Sequence, residues 1–139
     1  MAGIYRCTAM LLLLLFSSAA RTQSRLIDSL KEQVHHATTS EQKLEAILAL
    51  CSEYKSITRD TLDYYAFLAR DLAAQTNKTR LKQMAELAVA SDYARWGWTD
   101  SVVYTVDPVL AANQANDPEQ RPLYFRAARL KAMAYAGRS

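Results

Sequence analysis

Residues 48–54 read LALCSEY and residues 87–93 read LAVASDY, so that each of seven consecutive positions recurs as an identical or chemically similar residue. Two further matches follow in the same order along the chain: DTL at 60–62 with DSV at 100–102, and LAAQ at 72–75 with LAAN at 110–113. Three matches in one order and at nearly one offset indicate an internal repeat of about 40 residues.

The residues in and around these segments have the spacing of amphipathic helices. Around the first segment, Leu44, Ile47 and Cys51 recur at intervals of three and four residues. Thr39 and Asn77 are the predicted N-caps of the second and fourth helices. No segment alternates between apolar and polar residues over a useful length, so strands are not expected. Short breaks separate six predicted helices, at residues 25–36, 40–55, 59–75, 78–96, 99–115 and 119–136.

Because the repeated unit is a pair of helices, the sequence predicts an all-α fold of tandem antiparallel helix hairpins, stacked as a short right-handed α-solenoid. One hairpin cannot bury its apolar face alone, whereas stacked hairpins bury a continuous core between neighbours. We expect about three hairpins in one domain that covers residues 21–139. Gly97 is the predicted end of the fourth helix, and Pro108 is predicted to kink the fifth helix or delay its regular part.

The first twenty residues have the composition of a secretory signal peptide. Residues 1–6 carry one positive charge, residues 7–16 are apolar with five consecutive leucines, and residues 17–20 are small. The apolar run is shorter than the roughly 20 residues that a membrane-spanning helix needs. The sequence therefore predicts a signal peptide at residues 1–20 that is cleaved after Ala20, and an exported protein, periplasmic or secreted. An uncleaved membrane anchor is the alternative interpretation.

After such a cleavage, Cys51 is the one cysteine that remains, which leaves no internal disulfide. Its position in an apolar helical run predicts buried packing. No membrane insertion is expected after cleavage, unless a membrane span follows in a longer chain. The stability of the exported domain is therefore expected to come from its apolar core.

The repeated elements resemble tetratricopeptide repeats and, more narrowly, the exported N-terminal region of bacterial repeat-bearing sensor proteins. The resemblance lies in an early Asp-Ser-Leu element at 28–30, in DTLDYYA at 60–66, and in Tyr93 to Gly97 followed by DSVVY at 100–104. It covers residues 25–139, although the repeat is longer than the usual tetratricopeptide unit of about 34 residues. It implies a helical-repeat module that binds another protein or a peptide and that takes part in signal transduction.

The composition and motifs give no support to several other classes of function. The net charge is only +3 with acidic and basic residues intermixed, so nucleic-acid binding is not expected. His35 and His36 are adjacent, point in different directions on a helix, and have no further ligands nearby, so no metal site is expected. There is no Gly-rich phosphate loop and no nucleophile motif. The sequence therefore predicts a protein that is not an enzyme and that needs no cofactor.

Aromatic residues are the candidates for partner contact, because rings on a solenoid's concave helix faces often contact peptides or sugars. The candidates are Tyr64, Tyr65, Tyr93, Trp96, Trp98 and Tyr104. The alternative for Trp96 and Trp98, which flank Gly97, is that they fix the turn between two hairpins. Four basic residues on the last helix are interpreted as a solvated surface: Arg121, Arg126, Arg129 and Lys131.

The leading functional hypothesis is an exported protein–protein interaction module, which would be the periplasmic sensing region of a longer signalling protein. The alternatives are a cell-envelope protein that binds a small glycan or peptide, and a small helical enzyme that uses scattered carboxylates. Residues 124–137 resemble the first helix of a further hairpin. The sequence is compatible both with a fragment of a longer receptor and with a complete protein, and it does not identify the partner.

Overall fold

The computed structural model describes residues 24–53 and 55–137. Within these residues it contains helices and connecting turns and no β-strand, which confirms the all-α prediction. The predicted signal peptide at 1–20 and Tyr54 of the first repeated segment lie outside the described residues. The helices are α1 at 24–36, α2 Ser40–Ser52, α3 Arg59–Ala74, α4 Thr79–Trp96, α5 Thr99–Ala112 and α6 Arg121–Ala136.

Among helices α2 to α6, only α2 and α3 begin after a residue whose side chain caps the helix. The Thr39 hydroxyl accepts a hydrogen bond from the backbone N–H of Gln42, as predicted, which satisfies one of the free amides of α2. Thr58 does the same for α3. The prediction that Asn77 caps the fourth helix is wrong. The residue before α4 is Lys78, which makes no side-chain cap, and its own backbone N–H donates to the hydroxyl of Thr76 instead.

Helix α5 continues through Pro108 and ends at Ala112, earlier than predicted. The side-chain amide of Asn113 donates to the carbonyl of Val109 at 2.7 Å, and the Asn113 backbone is extended. In a continuing helix that carbonyl would accept from the backbone N–H of Asn113. The Asn113 side chain therefore replaces the next helical hydrogen bond and ends the helix.

The helices stack in chain order, and each helix from α2 onwards contacts the next one. Helix α2 also contacts α4, and α4 contacts α6, whereas α3 and α5 do not contact each other. The stack is therefore tighter on the side of the even-numbered helices. We call this the inner side, and the side on which α3 and α5 diverge the outer side.

Two apolar clusters meet at α4. The first joins α1, α2, α3 and one face of α4, and it includes Ile47, Leu62 and Ala85. The second joins the other face of α4 with α5 and α6, and it includes Leu87 and Val106. Since one helix contributes to both clusters, the core is continuous from one hairpin to the next, as expected for stacked repeats.

The burial pattern confirms that equivalent positions of successive repeats occupy equivalent places. Four buried positions of α3 correspond to four buried positions in or directly after α5, always at the same sequence separation. The pairs are Leu62 with Val102, Ala66 with Val106, Ala69 with Val109, and Ala73 with Asn113. This register corrects one of the sequence matches. The match of 72–75 with 110–113 pairs Ala73 with Ala111, which is exposed. The match of 60–62 with 100–102 is therefore in the structural register, whereas the match of 72–75 with 110–113 is not.

The α4–α5 turn depends on a left-handed residue. Gly97 has φ 73° and ψ 19°, and an added Cβ would meet no atom within 4 Å. Gly97→Ala is therefore expected to lower the free energy of unfolding by about 1 kcal/mol through backbone strain alone. Gly137→Ala is the matched control, because Gly137 has φ −74° and space for a Cβ. Urea unfolding of both variants checks this, and equal effects would contradict it.

Candidate partner-binding groove

A row of aromatic rings lies along α3, the end of α4 and the α4–α5 turn. The rings of Trp96 and Trp98 are stacked, with centroids 5.6 Å apart and planes 21° from parallel. Trp98 contacts Tyr93 at 5.7 Å, and Tyr93 contacts Phe67 of α3 at 6.1 Å. We call these four residues the aromatic ladder. Such contacts add to the stabilisation from burial, so the ladder holds α3, α4 and the turn together.

An arginine from α3 covers each end of the aromatic ladder. The guanidinium carbon of Arg59 lies 4.4 Å from the ring centroid of Trp96, and that of Arg70 lies 4.7 Å from the ring centroid of Phe67. These are cation–π contacts. Sequence reasoning did not identify Arg59, Phe67 and Arg70. The signal was present in their spacing along α3, which puts all three on one face of that helix.

Two hydrogen bonds between arginines and main-chain carbonyls fix the position of the ladder. Arg95 Nη1 donates to the carbonyl of Ile57 at 2.9 Å, and Arg59 Nη2 donates to the carbonyl of Arg95 at 3.3 Å. The α2–α3 connection is thereby tied to the end of α4. Trp96 and Trp98 nevertheless stay about half exposed. The two tryptophans therefore hold the turn in place and also present ring surface to solvent.

A groove of about 620 Å³ lies on the outer side, with α4 as its floor and α3 and α5 as its walls. Tyr93 of the ladder and Tyr104 of α5 both border this groove. Tyr104 is 84% exposed, so its ring is available for contact. The groove exists because α3 and α5 diverge over α4 and leave its outer face uncovered.

The groove carries charges of both signs and several hydroxyl groups. Arg70 and Lys82 are its basic residues, and Glu86 and Asp100 are its acidic residues. Pro108 also borders the groove. Because proline has no backbone N–H, it donates no helical hydrogen bond to the preceding turn. Mixed charges, hydroxyls and aromatic rings suit an amphipathic partner better than a uniformly charged one.

The family model for the SusR N-terminal TPR domain matches residues 18–134. The chain belongs to this family. The match confirms the resemblance to tetratricopeptide repeats and to sensor-type proteins that the repeated segments indicated. No curated protein matches the chain, and no solved structure does. The family match therefore identifies the family and the kind of repeat. The residues of the candidate site are assigned from the geometry of the structure.

The SusR-type TPR domain brings four of the six aromatic candidates together. Tyr93, Trp96 and Trp98 are in the aromatic ladder, and Tyr104 borders the same groove as Tyr93. The other two, Tyr64 and Tyr65, contact each other with centroids 5.0 Å apart, and neither borders the groove.

The aromatic candidates that border the groove lie on the outer side of the stack. The groove that Tyr93 and Tyr104 border opens on the outer side, because α3 and α5 form its walls. The inner side is formed by α2, α4 and α6, in which α4 contacts both of the others directly. Helical spacing on α4 turns Tyr93 towards α3, where it meets Phe67. Sequence alone does not show which face of α4 the neighbouring helices leave open.

One carboxyl group of the SusR-type TPR domain is buried in an unfavourable setting. Asp92 of α4 is 1% exposed, and its Oδ1 has no hydrogen-bond partner among the described residues. Burial, and to a lesser extent the neighbouring carboxylate of Asp63, raises the pKa of Asp92 to about 6, against the opposing effect of Arg95 and Arg59. Asp92 does not border the groove, so its raised pKa is expected to affect the stability of the fold rather than binding in the groove.

Cys51 is buried, and burial raises the pKa of its thiol to about 12, which agrees with the packing role predicted for it. In the part of the chain that the structure describes, no group of three or more His, Cys, Asp or Glu side chains is placed to hold a metal ion. None of the described helices combines the length and the apolar character that crossing a membrane requires.

Proposed function

We propose that this chain is an exported interaction module that binds a polypeptide partner in the groove between α3 and α5 and performs no covalent chemistry. The observation that carries the proposal is an open groove that is bordered by Tyr93 and Tyr104 and that has charges of both signs along it. TPR domains generally mediate protein–protein interactions, and the family match places this chain among them. Its finer role is that of the periplasmic sensing region of a longer signalling protein.

The aromatic ladder supports binding rather than catalysis. Exposed rings that are held rigidly lose little conformational entropy when a partner covers them, which is why aromatic residues and arginine are frequent at the centres of interfaces. Trp98 and Tyr93 connect the groove to the ladder through ring contacts. A partner that contacts Tyr93 would therefore meet a ring that is already held by its neighbours, which lowers the entropic cost of binding.

Site-specific photo-cross-linking in cells that export the chain tests this proposal. We expect a photoreactive phenylalanine in place of Tyr104 to give one defined protein adduct, and the same group in place of Asp71 to give none. Asp71 is exposed on α3 and does not border the groove. Mass spectrometry of the adduct from the envelope fraction should also show a chain that begins at Arg21.

A bulky residue in the groove serves as the blocking variant for the same experiment. Ser101 borders the groove, and Ser101→Trp would fill part of it. We expect this change to reduce the adduct at position 104 about tenfold, as a loss of affinity of about 1.4 kcal/mol would. Asp71→Trp is the control for the added ring. Adducts that are equally strong with Ser101→Trp, or as strong from position 71 as from position 104, would contradict the proposal.

A small glycan or peptide from the cell envelope is a second candidate ligand. The observation that favours it is the volume of the groove, about 620 Å³, since pockets for small ligands measure roughly 300–1,000 Å³. Trp98 reports on this alternative because its ring contacts Tyr93 of the groove. A saturable change in tryptophan fluorescence with a soluble oligosaccharide or short peptide, together with no protein adduct at position 104, would favour the small ligand.

A further inference from the structure

The first repeated match places a serine at the same position of α2 and of α4. In LALCSEY and LAVASDY these are Ser52 and Ser91. Each hydroxyl donates its proton to a carbonyl of its own helix, Ser52 to Ala49 at 2.6 Å and Ser91 to Leu87 at 2.7 Å. Because the proton of each hydroxyl is engaged by the main chain, its oxygen is left to act as an acceptor. The repeat therefore supplies two neutral acceptors on neighbouring helices.

The two serines border a pocket of about 220 Å³ on the inner side of the stack. This pocket exists because α2 and α6 both contact α4 but do not contact each other, which leaves a gap above Ser91. Arg126 and Arg129 of α6 border the same pocket, and no acidic residue does. We call it the arginine pocket. It combines two positive charges with two acceptors that carry no charge.

The structure separates the four basic residues of the last helix, which the sequence analysis treated as one solvated surface. Arg121 Nε donates to the carbonyl of Ala115 at 2.9 Å, and Lys131 Nζ contacts Asp107 Oδ1 at 2.7 Å. The other two, Arg126 and Arg129, are those of the arginine pocket. Two basic residues of α6 are therefore engaged by the α5 side of the chain, and two border the inner side.

The electrostatic effect of Arg126 places its charge close to α2. Burial is the main cause of the raised pKa of Cys51, and the positive charge of Arg126 acts against it by favouring the thiolate. Cys51 is the residue directly before Ser52 on α2. The guanidinium of Arg126 therefore extends from α6 across α4 towards α2, which is the direction of the arginine pocket.

These groups select the chemistry of a ligand. A guanidinium offers several N–H donors in a planar fork that matches a carboxylate, and two guanidiniums without a neighbouring acid favour an anion. The serine oxygens require a donor next to that anion. An ammonium group would be repelled by the two guanidiniums and would find no acidic residue on the border of this pocket. A neutral O–H or N–H donor fits better.

An apolar pocket adjoins the arginine pocket at Ser52. Its volume is about 430 Å³, and it lies between α2 and α4. Pockets for small ligands measure roughly 300–1,000 Å³, so the arginine pocket by itself holds only the polar part of such a ligand. The adjoining pocket offers apolar surface for the remainder, from four side chains: Leu48, Ala49, Leu81 and Met84.

The charged residues at the border of the apolar pocket interact within the chain. Lys78 forms an ion pair with Glu41 and also interacts electrostatically with Glu45. Arg80 Nη1 donates to the carbonyl of Glu119 at 2.9 Å. The apolar side chains therefore dominate what this pocket offers to a ligand.

We propose that the inner side of the stack binds a small organic acid with an apolar group. Its carboxylate contacts Arg126 and Arg129, a neutral O–H or N–H donor beside the carboxylate contacts Ser52 and Ser91, and the apolar group occupies the pocket between α2 and α4. Both α-hydroxy acids and N-acylated amino acids have this chemistry. This site is separate from the groove on the outer side.

Isothermal titration calorimetry with leucic acid and with N-acetylleucine tests the proposal. We expect saturable binding of at least one of them, and the tighter of the two identifies the donor as a hydroxyl or an amide N–H. Three matched compounds each lack one feature: leucic amide lacks the carboxylate, isocaproate the donor, and lactate the large apolar group. Each should bind at least about tenfold more weakly than leucic acid or N-acetylleucine, whichever binds. Leucine, with an ammonium group, should also bind more weakly.

Two variants locate the binding in the arginine pocket. We expect Arg129→Gln to weaken binding of the preferred acid about tenfold, whereas Lys131→Gln, the same loss of charge on α6 outside the pocket, should have no effect. Ser91→Ala should weaken binding of that acid but not of isocaproate, which has no donor for Ser91 to accept from. A purely structural effect of Ser91→Ala would weaken both. Circular dichroism verifies that each variant is folded.

Several results would overturn the proposal. These are the absence of saturable binding of both leucic acid and N-acetylleucine up to about 10 mM, equal binding of leucic amide, and unchanged binding by Arg129→Gln. The inference does not rest on the proposed function, because the outer groove shares no bordering residue with either inner pocket. Arg129→Gln should therefore leave the cross-link at position 104 unchanged, and failure of one site does not decide the other.

Discussion

Leu87→Ala is expected to lower the free energy of unfolding by about 3 kcal/mol, within the range measured for buried leucines. Leu87 is fully buried in the second core cluster, where α4 packs on α5 and α6. The neighbouring buried positions of that cluster include Ala90 and Val102. Small and β-branched side chains cannot move far enough to fill the space that a leucine leaves, so the substitution creates a cavity as well as removing apolar contact.

Urea unfolding measures this loss, and the repeat supplies its own internal comparison. Leu48→Ala is expected to cost a similar amount, because Leu48 occupies the equivalent position on α2 in the first core cluster. Leu26→Ala is the matched control at a half-exposed leucine of α1, and it is expected to cost less than about 1 kcal/mol. If Leu87→Ala and Leu26→Ala had similar effects, the assignment of α4 as the shared central helix would be wrong.

The effect of Asp92→Asn on the free energy of unfolding is expected to depend on pH. Relative to the parent chain, the variant should be more stable at pH 8 than at pH 4 by about 2 kcal/mol. Burial raises the pKa of Asp92 from 3.8 to about 6 in the folded protein. The folded protein therefore holds the Asp92 proton more tightly than the unfolded chain does. The stability that Asp92 contributes is fully present below its unfolded pKa and is lost as the pH rises through about 6.

The pH profile separates this effect from a simple change in packing. Asparagine does not titrate, so the difference between Asp92→Asn and the parent chain should grow from pH 4 to pH 7 and then level off. A constant offset across this range would contradict the burial of an ionisable group at this position. Asp71→Asn, at an exposed carboxyl of α3, is the control and should change stability by less than about 0.5 kcal/mol at any pH.

The aromatic candidates show which part of the site can be predicted from the sequence. Trp96, Trp98 and Tyr104 were recognisable from their residue types alone, since large rings near a turn are uncommon unless they pack or bind. Their partners on α3 were not recognisable. Arg59 and Phe67 belong to the preceding helix of the chain, and only the antiparallel packing of α3 on α4 brings them to the ladder.

The sequence by itself determined the helices, their order and the repeat. These features follow from local chemistry: apolar residues at intervals of three and four, the caps at Thr39 and Thr58, and the left-handed turn at Gly97 each act within a few residues. The recurrence of LALCSEY as LAVASDY predicted that the two segments bury corresponding apolar positions, as Leu48 and Leu87 do.

The tertiary structure decided which faces of the helices stay open. The even-numbered helices contact one another in succession, and α3 and α5 diverge, so the groove lies on the outer side. It also decided that Asp92 is buried. These properties depend on the distances between helices, and those distances are set by how whole side chains fill the space between them, which no single stretch of sequence specifies.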